Sequence, residues 1–122
     1  MSKQVLIVDD SGSFRMVVKV ALERAGYQTC DAAHALEAQA LLDGRRIDLV
    51  ICDVNMPGMS GVEFVRLLRD SAYKHTPVMM LTTDSQQKHR DEATALGVRA
   101  WITKPFQPSQ LIDAVSKLCP LG

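Results

Sequence analysis

The chain has 122 residues, 47% of them hydrophobic and 23% charged, and Lys+Arg and Asp+Glu both number 14. That length buries one core between two layers of helices with little to spare, so a single domain over 1–122 with no tethered effector is expected. A zero formal net charge leaves the molecule as a whole no charge excess to hold it on nucleic acid or on an anionic membrane, and the longest apolar runs fall far short of the roughly 20 residues that a membrane span needs.

In chain order, Val5–Val8 reads as a strand, because it is a short apolar run rich in β-branched residues. A helix follows, with Phe14, Val17, Val18, Ala21, Leu22 and Ala25 at i, i+3, i+4, i+7 spacing, Ser11 as its N-cap and Gly26 just past its end. A weaker strand near Gln28–Cys30 and a helix over Ala35–Leu42 come next. Then Leu49–Cys52, Val78–Leu81 and Ala100–Ile102 repeat the strand pattern, separated by helical patterns over Val62–Leu68, Gln87–Leu96 (closed by Gly97) and Ser109–Leu118. Strand then helix, five times over, with continuous rather than alternating hydrophobicity, means a parallel sheet covered on both faces. Right-handed crossovers in so short a chain favour an α/β doubly wound three-layer sandwich over a barrel, which needs about 250 residues.

Cys30, Cys52 and Cys119 match neither a disulfide framework nor a zinc ligand set and are read as reduced structural thiols. His34, His75 and His89 lie in polar stretches and are assigned to the surface. The N-terminus lacks a secretory pattern, which makes the cytoplasm the expected compartment.

In parallel α/β sheets ligands collect at the carboxyl ends of the strands. Here those ends carry Asp9-Asp10, Asp53, Thr82-Thr83 and Lys104-Pro105. Three crowded carboxylates repel unless a cation sits among them, and a hard divalent ion such as Mg²⁺, which takes one or two carboxylates plus a phosphate, fits Asp10 and Asp53. Asp9 then acts through bound water. Asp53 is the candidate nucleophile, attacking phosphorus to give an aspartyl phosphate, with Lys104 as ion-pair partner and the Thr82 hydroxyl as hydrogen-bond donor to the phosphoryl group. Taken singly, each residue reads as well as a turn former, a strand-end hydroxyl or a surface lysine; the functional reading rests on their common edge.

The motifs Val-Asp9-Asp10-Ser, Cys-Asp53-Val-Asn-Met-Pro-Gly-Met-Ser-Gly, Leu-Thr82-Thr and Thr-Lys104-Pro-Phe resemble the signatures of response-regulator receiver domains, in order, from about Lys3 to Leu118. The resemblance implies a flavodoxin-like (CheY-like) five-stranded sheet of order 2-1-3-4-5. It further implies phosphorylation of Asp53 by a sensor histidine kinase or a small phosphodonor, with Mg²⁺ held by Asp10, Asp53 and the backbone carbonyl of Asn55, and Asp9 supporting through water. It implies a cis Lys104-Pro105 peptide and a switch in which Thr82 moves toward the phosphoryl group and Trp101 turns inward. Thr83, in place of the family's common Ala or Gly, together with Asn55 and Asp84, falls where similar domains tune phosphate lifetime.

The implied output is a protein contact through the face formed by Gln87–Leu96, the strand around Trp101 and Ser109–Leu118, a face that carries Lys88, His89, Arg90, Asp91 and Glu92. The run Ala100-Trp101-Ile102-Thr103-Lys104-Pro105-Phe106 looks most like the stand-alone chemotaxis subgroup, whose target is the flagellar motor switch; a phosphatase is a further expected partner. A phosphorelay intermediate and a phosphate sink use the same site. A haloacid-dehalogenase-type phosphohydrolase is the alternative of a different class, but Asn55 stands where its second acid belongs and Asp53 lies mid-chain rather than on the first strand. A receiver kept only as a binding module is the third.

Overall fold

The computed structural model describes residues 3–83 and 87–121, with residues 87–89 described by their backbone. Five strands, β1 (Gln4–Val8), β2 (Gln28–Ala32), β3 (Leu49–Asp53), β4 (Val78–Thr82) and β5 (Ala100–Thr103), alternate with α1 (Gly12–Arg24), α2 (Ala35–Ala40), α3 (Gly61–Arg69), α4 (Gln87–Ala95) and α5 (Pro108–Leu118). The sheet is parallel throughout, in the order β2-β1-β3-β4-β5, with Ile7 beside Ile51, Cys52 beside Met80 and Leu81 beside Ile102. The doubly wound sandwich expected from the sequence is therefore the fold.

Alternate strand residues enter two cores. Val5, Ile7, Leu49, Ile51, Met79 and Leu81 pack against Val18 and Leu22 of α1 and Leu111 and Val115 of α5. Leu6, Val8, Val50, Cys52 and Met80 pack against Ala35 and Ala38 of α2, Phe64, Val65 and Leu68 of α3 and Ala93 of α4. Every residue of β3 and β4 is buried, which is why those strands read as unbroken apolar runs.

Ser11 caps α1 as expected, its hydroxyl accepting from the Phe14 N–H at 3.2 Å, and Gly26 turns the chain out of the helix at φ +103°. Val17 departs from the expected face. It is half exposed, beside exposed Met16 and Val20, because the sheet receives a stripe centred on Val18 and Leu22 and Val17 lies about 100° round the helix from Val18. Helix α2 stops at Ala40, two residues short of the expected end, and α5 begins at Pro108, whose fixed φ suits a first helical turn. Strand β2 runs two residues further than expected, to Ala32. The three cysteines are free thiols, Cys52 and Cys119 buried and Cys30 partly so. His34 is exposed but not idle, since its Nδ1 accepts from the Glu37 N–H at the start of α2. His75 is exposed, and the side chain of His89 lies outside the described residues.

Candidate phosphoacceptor site

The carboxyl edge of the sheet brings the predicted residues together. Asp9 follows β1 with no solvent exposure, and Asp53, the last residue of β3, is 6% exposed. Asp10 is exposed. One carboxylate oxygen from each of these three lies within 4.8 Å of the others, a donor set of hard oxygens that suits a small divalent cation. From the far side of the edge Lys104 enters the cluster, its Nζ donating to Asp9 Oδ2 at 2.7 Å and to Asp53 Oδ2 at 3.3 Å. Among the described residues a single ammonium, paired with two of the three carboxylates, enters the cluster, which leaves room electrostatically for a further cation.

Each acid is oriented locally. Asp9 Oδ1 accepts from the Ser11 N–H at 2.9 Å, and Asp53 Oδ1 accepts from the Asn55 N–H at 3.3 Å. Burial raises the Asp53 carboxyl above its ordinary value; the Lys104 charge opposes this, the Asp9 charge adds to it, and hydrogen bonds from Asn55 and Lys104 oppose it. Burial also pushes up the Cys52 thiol beside it, which keeps that sulfur protonated and inert.

Thr82 ends β4 and is 4% exposed; its carbonyl accepts from the Lys104 N–H at 2.8 Å, tying β4 to the lysine loop. The Lys104-Pro105 peptide is cis, as the resemblance implies. Thr83 is exposed, and Asp84 lies outside the described residues, as do the side chains of Lys88 and His89. Trp101 stands apart from the carboxylates, half-buried on β5 beside Met80, with the Arg90 guanidinium 5.2 Å from its ring centroid.

Four residues of the site escaped the sequence reading. Phe14 places its ring 4.1 Å from the Lys104 ammonium and meets Phe106 edge-on at 5.3 Å, so one aromatic ring walls the lysine and a second packs against that ring. Arg15 donates to the Asp9 carbonyl at 2.7 Å and to Asp31 at 3.0 Å, pinning the end of β1 to β2. Gly61 lies so close to the Asp53 carbonyl that an added Cβ would fall 2.1 Å from it. Phe106 was visible within Lys-Pro-Phe, and Gly61 at the end of the Asp53 motif, but neither position carries titratable chemistry to draw the eye.

Residues 5–116 match the response regulator receiver domain family, and the chain belongs to it. Among similar proteins, chemotaxis protein CheY-3 of Vibrio cholerae is 36% identical over 94% of this chain and 90% of its own length. The solved structure of V. cholerae CheY4 superposes with a TM-score of 0.91 at 42% identity, covering 97% of this chain and 99% of that one. The phosphate regulon regulator PhoB of Pseudomonas aeruginosa is 37% identical over 92% of this chain, which spans only 49% of PhoB. A receiver domain is a phosphoacceptor switch of two-component signalling rather than a metabolic enzyme. Membership sets aside the haloacid-dehalogenase alternative, and the strand that bears Asp53 is the third in sequence.

Proposed function

We propose that Asp53 is the phosphoacceptor of a cytoplasmic switch that a sensor histidine kinase charges with a phosphoryl group. The observation that carries this reading is the convergence of Asp9, Asp10 and Asp53 within 4.8 Å of one another, with the Lys104 ammonium paired to Asp9 and Asp53. Asp10, Asp53 and the Asn55 carbonyl would hold Mg²⁺, with Asp9 acting through water. When bound, the ion neutralises charge on the phosphoryl oxygens. An Asp53 carboxylate oxygen attacks phosphorus, the bond from phosphorus to the donor's imidazole nitrogen breaks, and the departing nitrogen keeps that electron pair. Lys104 then exchanges part of its contact with Asp53 for the phosphoryl oxygens, and Thr82 donates to them.

Thr82 moving toward the phosphoryl group frees space into which Trp101 turns, and the face of α4, β5 and α5 passes that change to a target protein. Thr83, Asn55 and Asp84 stand at the sequence positions where similar domains tune phosphate lifetime, and they set how long the acyl phosphate survives hydrolysis or a phosphatase. Similarity to chemotaxis proteins along nearly their whole length supports a chemotactic output at the flagellar motor switch. The test is treatment with acetyl phosphate with and without Mg²⁺, read by intact mass and by Trp101 fluorescence. One Mg²⁺-dependent phosphoryl adduct in the wild type and none in Asp53→Asn is the expected result. A folded wild type that gains no adduct leaves a binding-only receiver as the better reading.

A further inference from the structure

The end of the sheet opposite the carboxylates holds a second polar concavity. It has a volume of about 370 Å³ and is lined by Arg69, Lys74, His75, Arg99 and Lys117, with no carboxylate in its wall. These residues come from the end of α3, the loops that lead into β4 and β5, and the last turn of α5, so a strand's length of roughly 15 Å separates them from Asp53. The chain as a whole is neutral, and the excess here is therefore a segregation of charge within the molecule.

Two of the cations have a local reason to be there. Arg69 and Lys117 sit in the last turns of α3 and α5, where helix dipoles favour positive charge. Arg69 also staples three segments, its Nε donating to the Leu96 carbonyl at 2.7 Å and its Nη1 to those of Lys74 at 3.1 Å and Thr76 at 2.7 Å. Its Nη2 makes none of these contacts and lies toward Gly97, whose missing side chain leaves that edge open. Lys74 and Arg99 are on loops, where no helix end accounts for them. Burial, and then the charge of Arg99, lower the Arg69 pKa, so like charges press on one another across the pocket. Among the described residues Lys117 pairs with its own exposed helix neighbour, Asp113, at 3.3 Å, a contact of little worth in water.

We infer that this pocket binds a compact phosphate-bearing anion carrying two or more negative charges, at a site separate from the phosphoacceptor edge. Several guanidinium and ammonium donors around one concavity suit phosphate oxygens, and a fixed guanidinium prepares the geometry before the ligand arrives. The wall is mostly polar, with Pro77 and Leu118 as its apolar members, so the phosphates supply most of the recognition.

The experiment titrates inorganic pyrophosphate into the ¹⁵N-labelled protein in Mg²⁺-free, chelator-free buffer and follows backbone amide shifts. Saturable shifts at His75, Gly97 and Arg99, without shifts at Asp53 or Asn55, are expected. They should weaken roughly tenfold or more in Lys74→Gln and Arg99→Gln, each of which loses a charge-assisted hydrogen bond, and stay unchanged in Arg24→Gln, a basic residue of α1 outside the pocket. Vesicles containing phosphatidylglycerol form a second arm: binding that pyrophosphate displaces assigns a lipid headgroup as the source, and pyrophosphate binding alone assigns a free anion. Shifts that do not saturate, that centre on Asp53, or that survive both pocket substitutions overturn the inference. None of these readouts depends on phosphorylation of Asp53.

Discussion

Lys104 Nζ lies 2.7 Å from a carboxylate oxygen of Asp9, a side chain with no solvent exposure. Removing one partner of a buried pair leaves the other charge uncompensated, at a cost of about 3 kcal/mol or more. Lys104→Met is therefore expected to lower the unfolding free energy, read from urea denaturation, by that amount in Mg²⁺-free buffer and to regain part of it when Mg²⁺ is added, since the ion replaces the missing positive charge. An unchanged midpoint without metal would mean that Asp9 is satisfied by its Ser11 N–H alone.

Asp53 pairs with Lys104, but its burial outweighs that pairing, so its pH-dependent contribution has the opposite sense from that of an acid dominated by its salt bridge. Burial raises its carboxyl above the ordinary value, so the folded state holds that proton more tightly than the unfolded chain does. The resulting stabilisation is fully present below the unfolded value of about 3.9 and is lost as pH rises through the raised folded value. Asp53→Asn, which never ionises, is expected to be more stable than the wild type at pH 7 without Mg²⁺. The gap should close as pH falls toward about 3. Denaturation curves at the two pH values check this, and a gap of constant size would rule out ionisation of Asp53 as its source.

Gly61 carries a constraint of space rather than of dihedral angle. A Cβ there would meet the Asp53 carbonyl oxygen at 2.1 Å and the Met80 methyl at 2.9 Å, and the backbone contact has no flexible side chain to yield. Gly61→Ala is expected to destabilise the protein by about 2–4 kcal/mol. It should also slow phosphorylation by acetyl phosphate in the fraction that remains folded, because relief of the clash moves the end of β3. Normal stability together with normal phosphorylation would show that the loop relaxes without disturbing Asp53.

Much of the fold was legible because the central strands feed both cores, so Leu49–Cys52 and Val78–Leu81 appear as unbroken apolar runs. The edge strands were less so. Strand β2 is exposed at Gln28 and Asp31 and β5 at Thr103, and their ends were read short. The carboxylates, Thr82 and Lys104 were legible for a topological reason: in a parallel sheet every strand delivers its final residues to one edge. Arg15 and Phe14 were not, since a helical period gives the width of an apolar stripe but not its direction. Packing on the sheet decides that Phe14 faces Lys104, ninety positions away in the chain, and that Val17 faces out.

Trp101 is held on one side by the Arg90 guanidinium, 5.2 Å from the ring centroid, and on another borders a cavity of about 350 Å³ that Ile102, Thr103, Pro105, Gln110 and Ala114 complete. Arg90 is exposed, so the stacking contributes about 0.5–1 kcal/mol. Arg90→Ala should leave stability within about 1 kcal/mol of the wild type while freeing the ring. Acrylamide quenching of Trp101 should rise and its steady-state anisotropy fall, since the indole loses the cation that restrains it. If Trp101 is also the residue that turns on phosphorylation, the fluorescence change with acetyl phosphate and Mg²⁺ should be reached at a lower degree of phosphorylation in Arg90→Ala, because one contact that favours the starting position is gone. Quenching and anisotropy equal to those of the wild type would show that the packing around β5 and α5, and not Arg90, sets the position of the ring.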